Sequence, residues 1–200
     1  MKSTLQKHGV ISLIPFLLLT MTGIPVLVNR FLSPTRPIPA RILIVEGWLP
    51  LYAFQAAEKI FNSGSYDLLL TTGGPIPGPG SKNIAEYAKI HFQTLGIPSS
   101  KIIAIPAPGV NIDRTWTSAV AVKKWLDQNK KRETRFNLVS LGPHTRRSWL
   151  TYQKVFASAH KIGIISIPEV YTPRRWWYTR RGYRILAEEF ISYLGFKMLH

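Results

Sequence analysis

Two short, uninterrupted apolar runs decide the fold: Ile42-Leu43-Ile44-Val45 and, after an intervening helical pattern, Leu68-Leu69-Leu70. Neither run alternates apolar with polar residues, as a strand with one solvent-facing side would. Continuous apolar strands are typical of sheets buried on both faces, and such sheets are mainly parallel. The runs therefore predict a parallel sheet with helices packed on both faces.

Further strand-type runs alternate with helical patterns along the rest of the chain. The predicted strands are Arg41–Glu46, Asp67–Thr72, Lys101–Ile105, Phe136–Leu141 and Lys161–Ile167. The predicted helices are Leu51–Asn62, Asn83–Leu95, Arg114–Asn129, Thr145–Ser158 and, at the end, Trp176–Leu199. Strand–helix alternation with right-handed crossovers gives a doubly wound α/β fold. We therefore expect a mainly parallel, five-stranded, Rossmann-like sheet.

The N-terminal region differs in composition from the rest. No charged residue occurs from Gly9 to Asn29, and a helix of that length spans roughly 31 Å, close to the hydrocarbon thickness of a bilayer. No small-residue cleavage site follows it, which favours an uncleaved transmembrane helix. A proline-rich stretch comes next and is typical of an extended linker. The predicted organisation is a basic N-terminus at 1–8, a transmembrane anchor at 9–29, a linker at 30–40 and an α/β domain at 41–200.

The overall charge favours anionic partners. The chain has 26 Lys and Arg against 10 Asp and Glu, a formal net charge of +16. Such a surplus attracts lipid headgroups, phosphorylated ligands or nucleic acid, although a solvated basic surface beside a membrane explains it as well. Nucleic-acid binding rests on charge alone and is not expected. Cysteine is absent, which excludes disulfides and thiolate chemistry.

The loops after the strands hold the residues that we expect to bind a ligand. In open parallel sheets, ligands bind outside the carboxyl ends of the strands. The predicted ligand-binding residues there are Thr72, Gly73, Gly74, Asp113, Arg114, Thr115, Ser118, His144, Arg146 and Arg147.

These residue types suit an anion. Gly73-Gly74 permits a sharp turn whose amides face the crevice, although a plain tight turn needs no ligand. The segment from His144 to Arg147 begins a helix, where the dipole and guanidinium groups favour phosphate, although a basic helix start can also face water. Asp113 is expected to cap its helix, and Thr115 and Ser118 lie three apart on one helical face. Together these groups predict a pocket of positive potential, so replacing Arg147 with Ala should abolish binding and leave thermal unfolding almost unchanged.

Three residues are candidates for acid–base catalysis: Glu46, Glu86 and His144. Glu46 ends a buried strand and needs a partner, which can be an arginine, a metal ion or an exchangeable proton. The five histidines show no HxxxH or HExxH spacing, which argues against a transition-metal site. The sequence requires no cofactor, and a divalent cation at Glu46 or Asp113 remains an alternative.

Aromatic and arginine residues alternate from Tyr171 to Arg184. This pattern suits the headgroup layer of a bilayer, the edge of a core, or stacking on a sugar or base. The first of these settings is favoured, and it predicts a membrane interface made of Arg174, Arg175, Trp176, Trp177, Arg180 and Arg181.

The motifs and their order resemble the SanA/ElyC/YdcF family. The resemblance covers roughly residues 41–167 and rests on Thr72-Gly73-Gly74, the following Glu86, the stretch Arg114-Thr115-Trp116-Thr117-Ser118-Ala119, and His144-Thr145-Arg146-Arg147-Ser148. The family's helix-start Glu and Asn are replaced here by Thr117 and Ser118, which indicates a divergent member. The resemblance implies a bacterial inner-membrane protein with a periplasmic domain, linked to peptidoglycan or lipid-carrier metabolism.

Three functions follow as hypotheses. The first is an envelope protein that binds a phosphate-bearing ligand, such as a polyprenyl-phosphate-linked glycan precursor. The sequence does not decide whether it is an enzyme, but hydrolysis or transfer at a phosphoester or pyrophosphate fits best. The second is a scaffold that docks on anionic lipid or cell-wall enzymes. The third is S-adenosylmethionine or nucleotide binding, for which the second strand lacks the usual terminal acidic residue.

Overall fold

The protein forms a three-layer α/β structure around one sheet. A computed structural model describes residues 23–76, 83–129, 135–157, 160–169 and 179–199. Its strands are β1 (Ile42–Glu46), β2 (Leu68–Gly73), β3 (Ile102–Pro106), β4 (Arg135–Leu141) and β5 (Lys161–Ile167). The five strands pair in the order β3-β2-β1-β4-β5, and every pairing is parallel.

Helices cover both faces of this sheet. Residues 23–32 form helix α1, and the others are α2 (Leu51–Ser63), α3 (Ile84–Thr94), α4 (Arg114–Gln128), α5 (Thr145–Phe156) and α6 (Arg180–Leu199). Side chains of α2 and α3 share one buried cluster with Leu43 and Val45, whereas side chains of α4 and α5 share the other with Ile42 and Ile44. Alternate residues of β1 thus enter opposite cores, which is why its sequence is apolar throughout.

The predicted fold is confirmed: the sheet is five-stranded and parallel, with helices on both faces. Each strand begins and ends within one residue of its predicted bounds. Connections run outward from β1 through β2 to β3, and the chain then returns to β4 beside β1. Strand order therefore reverses between β1 and β4, and this is the place where doubly wound sheets form a ligand-binding crevice.

The segment predicted as a free linker is bonded to the domain. Residues 30–32 belong to α1, and Arg36 forms an antiparallel bridge with Ile164 on the outer edge of β5. The side chain of Asn137 accepts from the Ile38 amide at 2.9 Å and donates to the Ile38 carbonyl at 2.8 Å. Because these bonds satisfy main-chain groups and cover an edge strand, the segment is part of the fold.

Helix α1 packs on the last helix, α6. Leu32 of α1 is buried against α6, and Leu186 of α6 is buried against α1. The rings of Phe31 and Tyr193 pack edge to face, with their centroids 5.3 Å apart. This small cluster is separate from the two main cores. It fixes both helices beside the start of α5.

The predicted membrane anchor lies largely outside the described residues. Residues 9–22 of it are not among them, and residues 23–29 form part of α1. Within the described ranges, no helix has the length and apolar character needed to cross a bilayer.

Candidate functional site

A cavity opens at the carboxyl ends of β1, β2 and β4, where the strand order reverses. Its volume is about 470 Å³. Its lining combines most of the predicted site residues with four others: Glu46, Trp48, Thr72, Gly73, Gly74, Ile84, Asn111, Asp113, Arg114, Thr115, Ser118, His144, Arg147 and Glu189. The segments that the sequence places at one edge of the sheet thus do converge.

Glu46 lies at the floor of the cavity and is almost fully buried. Its carboxylate accepts hydrogen bonds from the hydroxyls of Ser140 and, at 2.8 Å, Ser148. Glu46 was predicted to need a partner, and it has two: the hydroxyls of Ser140 on β4 and Ser148 on α5. His144 Nε2 lies 4.0 Å from Oε1 of the same carboxylate.

His144 is held from its other side by Glu189 of α6. Nδ1 of the imidazole lies 2.9 Å from Oε1 of Glu189. Nη2 of Arg147 lies 3.0 Å from the same nitrogen. A carboxylate only accepts and a guanidinium only donates, so Nδ1 donates to Glu189 in one tautomer of His144 and accepts from Arg147 in the other. The ring also packs edge to face on Trp48, with centroids 5.0 Å apart. The bond and the ring contact fix the direction of Nε2.

Arg147 holds the same carboxylate. Its Nε donates to Oε2 of Glu189 at 3.2 Å, and its Nη2 donates to Oε1 at 3.3 Å. Burial acts to raise the pKa of Glu189, but the hydrogen bond and charge of His144 and the charge and hydrogen bonds of Arg147 outweigh it and lower that pKa to about 2. Glu189 is therefore ionised at neutral pH. Its carboxylate lies against His144 and Arg147, the two residues that were expected to face a bound anion.

Two buried polar atoms of the lining residues have no hydrogen-bond partner among the described residues. They are Nε2 of His144 and Oγ1 of Thr72, which lies at the end of β2. Buried polar atoms without partners are rare in folded proteins, because each loses its bonds to water. In the neutral tautomer of His144 that carries the proton on Nδ1, Nε2 offers a lone pair to the cavity.

The start of α4 forms the opposite wall. Thr115 and Ser118 both line the cavity, as their spacing predicts. The prediction that the Asp113 side chain caps this helix is wrong, because it makes no capping hydrogen bond. Asp113 instead has a left-handed backbone with φ of 57°, which aspartate tolerates better than most residues. Its strained backbone turns the chain into α4 at the rim of the cavity.

The cavity that was predicted to have positive potential is lined by charged residues of both signs. Arg114 and Arg147 supply two positive charges, whereas Asp113, Glu46 and Glu189 supply three carboxylates. Two of those carboxylates are bonded to serines or to His144 and Arg147. Helix α4 begins at the lining residue Arg114, so its positive end lies at the cavity, and His144, which also lines it, directly precedes α5.

Arg146 and Glu86 do not line the cavity. Arg146 donates to the main-chain carbonyl of Phe31 and lies 3.9 Å over its ring, so it joins α5 to α1. Burial lowers the pKa of Arg146. Glu86 is exposed in the first turn of α3, where a negative charge is favourable to the helix dipole. Neither residue is placed to bind or act on a ligand in this cavity.

Gly73 is required for packing. A side chain there would place its Cβ 2.8 Å from Cγ2 of Ile84, which is too close, whereas at Gly74 the nearest atom would be the Pro108 carbonyl oxygen at 3.5 Å. Gly74 also accepts a hydrogen bond from the Ile84 amide through its carbonyl. A side chain at position 73 would therefore have to displace Ile84, whereas position 74 has space for a Cβ atom.

Most of the predicted membrane interface lies outside the described residues. This applies to Arg174, Arg175, Trp176 and Trp177. Arg180 and Arg181 are described, and both are exposed in the first turn of α6.

Within the described ranges, no three His, Asp or Glu side chains come close enough together to hold a metal ion.

Glu189 is a site residue that sequence reasoning missed. It comes from a helix that lies outside the region of family resemblance and folds back over the cavity. Leu186, Glu189 and Tyr193 share the inward face of α6, and an acidic residue on such a face needs a partner, but the sequence does not show that this face packs over the cavity.

Neither a protein-family model nor a curated protein matches the chain. The resemblance to the SanA/ElyC/YdcF family therefore remains a prediction from the motifs.

Proposed function

We propose that this cavity binds a phosphate-bearing ligand and catalyses hydrolysis or transfer at phosphorus, with His144 as the general base. The observation that carries the proposal is the orientation of His144. In the proposed tautomer Nδ1 carries the proton and donates it to Glu189 Oε1, 2.9 Å away, and Nε2 is buried in the cavity without a hydrogen-bond partner among the described residues. Carboxylate-oriented imidazoles of this kind act in proton transfer in many hydrolases.

Phosphate is the reacting group that the rest of the lining favours. The N-terminus of α4 lies at the cavity, because its first residue, Arg114, lines it, and helix N-termini bind anions through their amides and dipoles. Arg114 is exposed at the rim, so its guanidinium is available to a ligand entering from solvent. The hydroxyls of Thr115 and Ser118 can donate to further phosphate oxygens.

The reaction needs one proton acceptor and a means of stabilising charge. Water or a ligand hydroxyl gives its proton to His144 Nε2 as its oxygen forms a bond to phosphorus. The bond from phosphorus to the leaving oxygen breaks, and the proton on Nε2 passes to that oxygen. Glu189 stabilises the imidazolium on one side and Glu46, 4.0 Å from Nε2, does so on the other. A divalent cation held by Glu46 or Asp113 would supply further positive charge.

The cellular setting belongs to the same proposal. The uncharged run at 9–29 supports a single-pass anchor in the plasma membrane. The motif resemblance supports an extracytoplasmic domain that acts in peptidoglycan homeostasis, with a lipid-linked glycan phosphate as the ligand.

The test is binding and turnover of defined probes by the full chain in detergent. Inorganic pyrophosphate should bind, as measured by calorimetry, and Arg114→Gln should weaken its binding at least severalfold. Arg135→Gln removes the same charge from an exposed position at the start of β4, the opposite edge of the sheet, and should bind as the wild type does.

Turnover separates binding from chemistry. His144→Asn keeps a donor for Glu189 and removes the base, so hydrolysis of pyrophosphate or bis(p-nitrophenyl) phosphate should fall by about 100-fold or more while binding persists. A protein that binds neither phosphate nor pyrophosphate, or whose binding is the same in Arg114→Gln, would contradict the proposal.

A further inference from the structure

The last helix, α6, has two faces of different character. Glu189 and Tyr193 face inward, toward the cavity and α1 respectively. On the outer face, Ile191, Leu194 and Met198 are 68%, 44% and 86% exposed. Their spacing of three and then four residues places them in one stripe along the helix. An apolar stripe of this kind is unfavourable in water and indicates a contact surface.

Helix α1 carries a second stripe with the same spacing. Ile24, Leu27 and Phe31 are 53%, 66% and 40% exposed. The two helices pack against each other through Leu32 and Leu186. The stripes therefore lie on one pair of joined helices, and each of their six side chains is at least 40% exposed. We call these six residues, with exposed Leu199, the apolar helix face.

The sequence that leads into α1 and the charged residues on the two helices indicate what kind of surface covers this face. Helix α1, residues 23–32, begins within the uncharged run 9–29, so the most lipid-compatible stretch of the sequence leads directly into this side of the molecule. Exposed basic residues lie on the same two helices, namely Arg30, Arg180, Arg181, Arg184 and Lys197, of which Arg184 pairs with Glu188 at 3.5 Å. Apolar side chains flanked by Lys and Arg are typical of helices that lie in the interface of a bilayer with anionic lipid.

We propose that the apolar helix face docks on a lipid bilayer that contains anionic phospholipid. Helix α6 then lies between the membrane and the cavity, with its outer side chains in the headgroup layer and Glu189 on His144. The inference is independent of the chemistry in the cavity. It assigns a membrane contact to four residues of α6, Ile191, Leu194, Met198 and Leu199, that lie more than 150 positions after the predicted anchor.

The absence of cysteine from the chain makes a direct test straightforward. Met198→Cys places one environment-sensitive fluorophore on the apolar helix face. Ser63→Cys places the same fluorophore at the exposed end of α2, on the opposite side of the sheet. The full chain with either label is reconstituted into vesicles of phosphatidylethanolamine and phosphatidylglycerol. Quenching by acyl-chain spin-labelled lipid is compared with quenching by aqueous iodide.

The label at position 198 should be quenched severalfold more by the spin-labelled lipid than the label at position 63, and should be protected from iodide. Adding Ile191→Glu should restore much of the iodide quenching, because it places a charge within the stripe. Vesicles of phosphatidylcholine alone should protect the label less.

Four results would overturn the proposal. Equal iodide quenching at both positions would show that the face stays in water. Protection without lipid would mean that another part of the chain covers it. Disulfide formation between two Met198→Cys chains, without lipid quenching, would assign the face to a second copy. Equal protection in phosphatidylcholine would refute the role of anionic lipid.

Discussion

Glu189 Oε1 lies 2.9 Å from His144 Nδ1, although 45 residues separate the two in the chain. Glu189 comes from α6 and His144 from the turn before α5, so this polar contact at the cavity depends on the last helix. The cavity is therefore complete only when α6 is docked. The helix that the family resemblance does not reach supplies the group that orients the candidate base.

Glu189 should make the stability of the protein depend on pH in the acid range. Its folded-state pKa of about 2 lies below the ordinary value of 4.5. The ionised form is thus favoured in the folded state, so the stabilisation is complete above pH 4.5 and is lost as pH falls from there through about 2. The difference corresponds to about 3 kcal/mol. Chemical denaturation at a series of pH values measures it.

The matched control is the neighbouring residue Glu188, whose side chain is 65% exposed. Glu189→Gln should flatten the acid limb of the stability curve, whereas Glu188→Gln should leave it nearly as in the wild type. Identical curves for Glu189→Gln and wild type would refute the role of this carboxylate.

Arg147→Ala should lower the free energy of unfolding, because it removes two of the hydrogen bonds that compensate a largely buried Glu189. The expected loss is about 1–3 kcal/mol. This changes the expectation, based on sequence alone, that Arg147→Ala would leave thermal unfolding almost unchanged. In the double variant with Glu189→Gln the two losses should be less than additive. Additive losses would mean that the two side chains do not interact in solution.

Gly73→Ala and Gly74→Ala should differ sharply although the residues are adjacent. A methyl group at 73 would meet Ile84 Cγ2 at 2.8 Å and must displace it, which costs about 1–3 kcal/mol. At 74 the nearest contact is an ordinary 3.5 Å, so stability should be almost unchanged. Thermal unfolding of both variants measures the difference, and an equal loss for both would refute the packing role assigned to Gly73.

Thr72→Val should separate stability from ligand binding. The Thr72 hydroxyl is buried without a hydrogen-bond partner among the described residues. Replacing it with a methyl group of similar shape removes a desolvated polar atom, so the folded state should be as stable as the wild type or more so. Pyrophosphate binding should weaken, because the bound ligand loses its hydrogen bond to the Thr72 hydroxyl. A clear loss of stability would show that the hydroxyl has a structural partner.

The sequence predicts the sheet well because its signals are local and strong. Burial on both faces makes β1 apolar at four consecutive positions, and glycine, proline or polar residues mark the strand ends. Parallel strands place their carboxyl ends at one edge, so Glu46, Thr72 and His144 could be placed together without knowledge of the packing.

The sequence predicts the details of the site less well, because they depend on distant packing. Arg146 and Arg147 were grouped as one anion-binding pair, but neighbours on a helix point about 100° apart. One therefore binds Glu189, while the other reaches Phe31 on α1. The position of α6 over the cavity is a tertiary contact that no local pattern specifies.

The bonding of residues 33–38 along β5 has a consequence for how the protein finds its ligands. A flexible linker would let a domain move through a large volume around its point of attachment and bind molecules throughout it. Here the main chain of Arg36 and Ile38 is hydrogen-bonded to Ile164 and Asn137, so whatever α1 is attached to sets the pose of the whole sheet. The segment thus holds the sheet, and with it the cavity, in one orientation relative to α1.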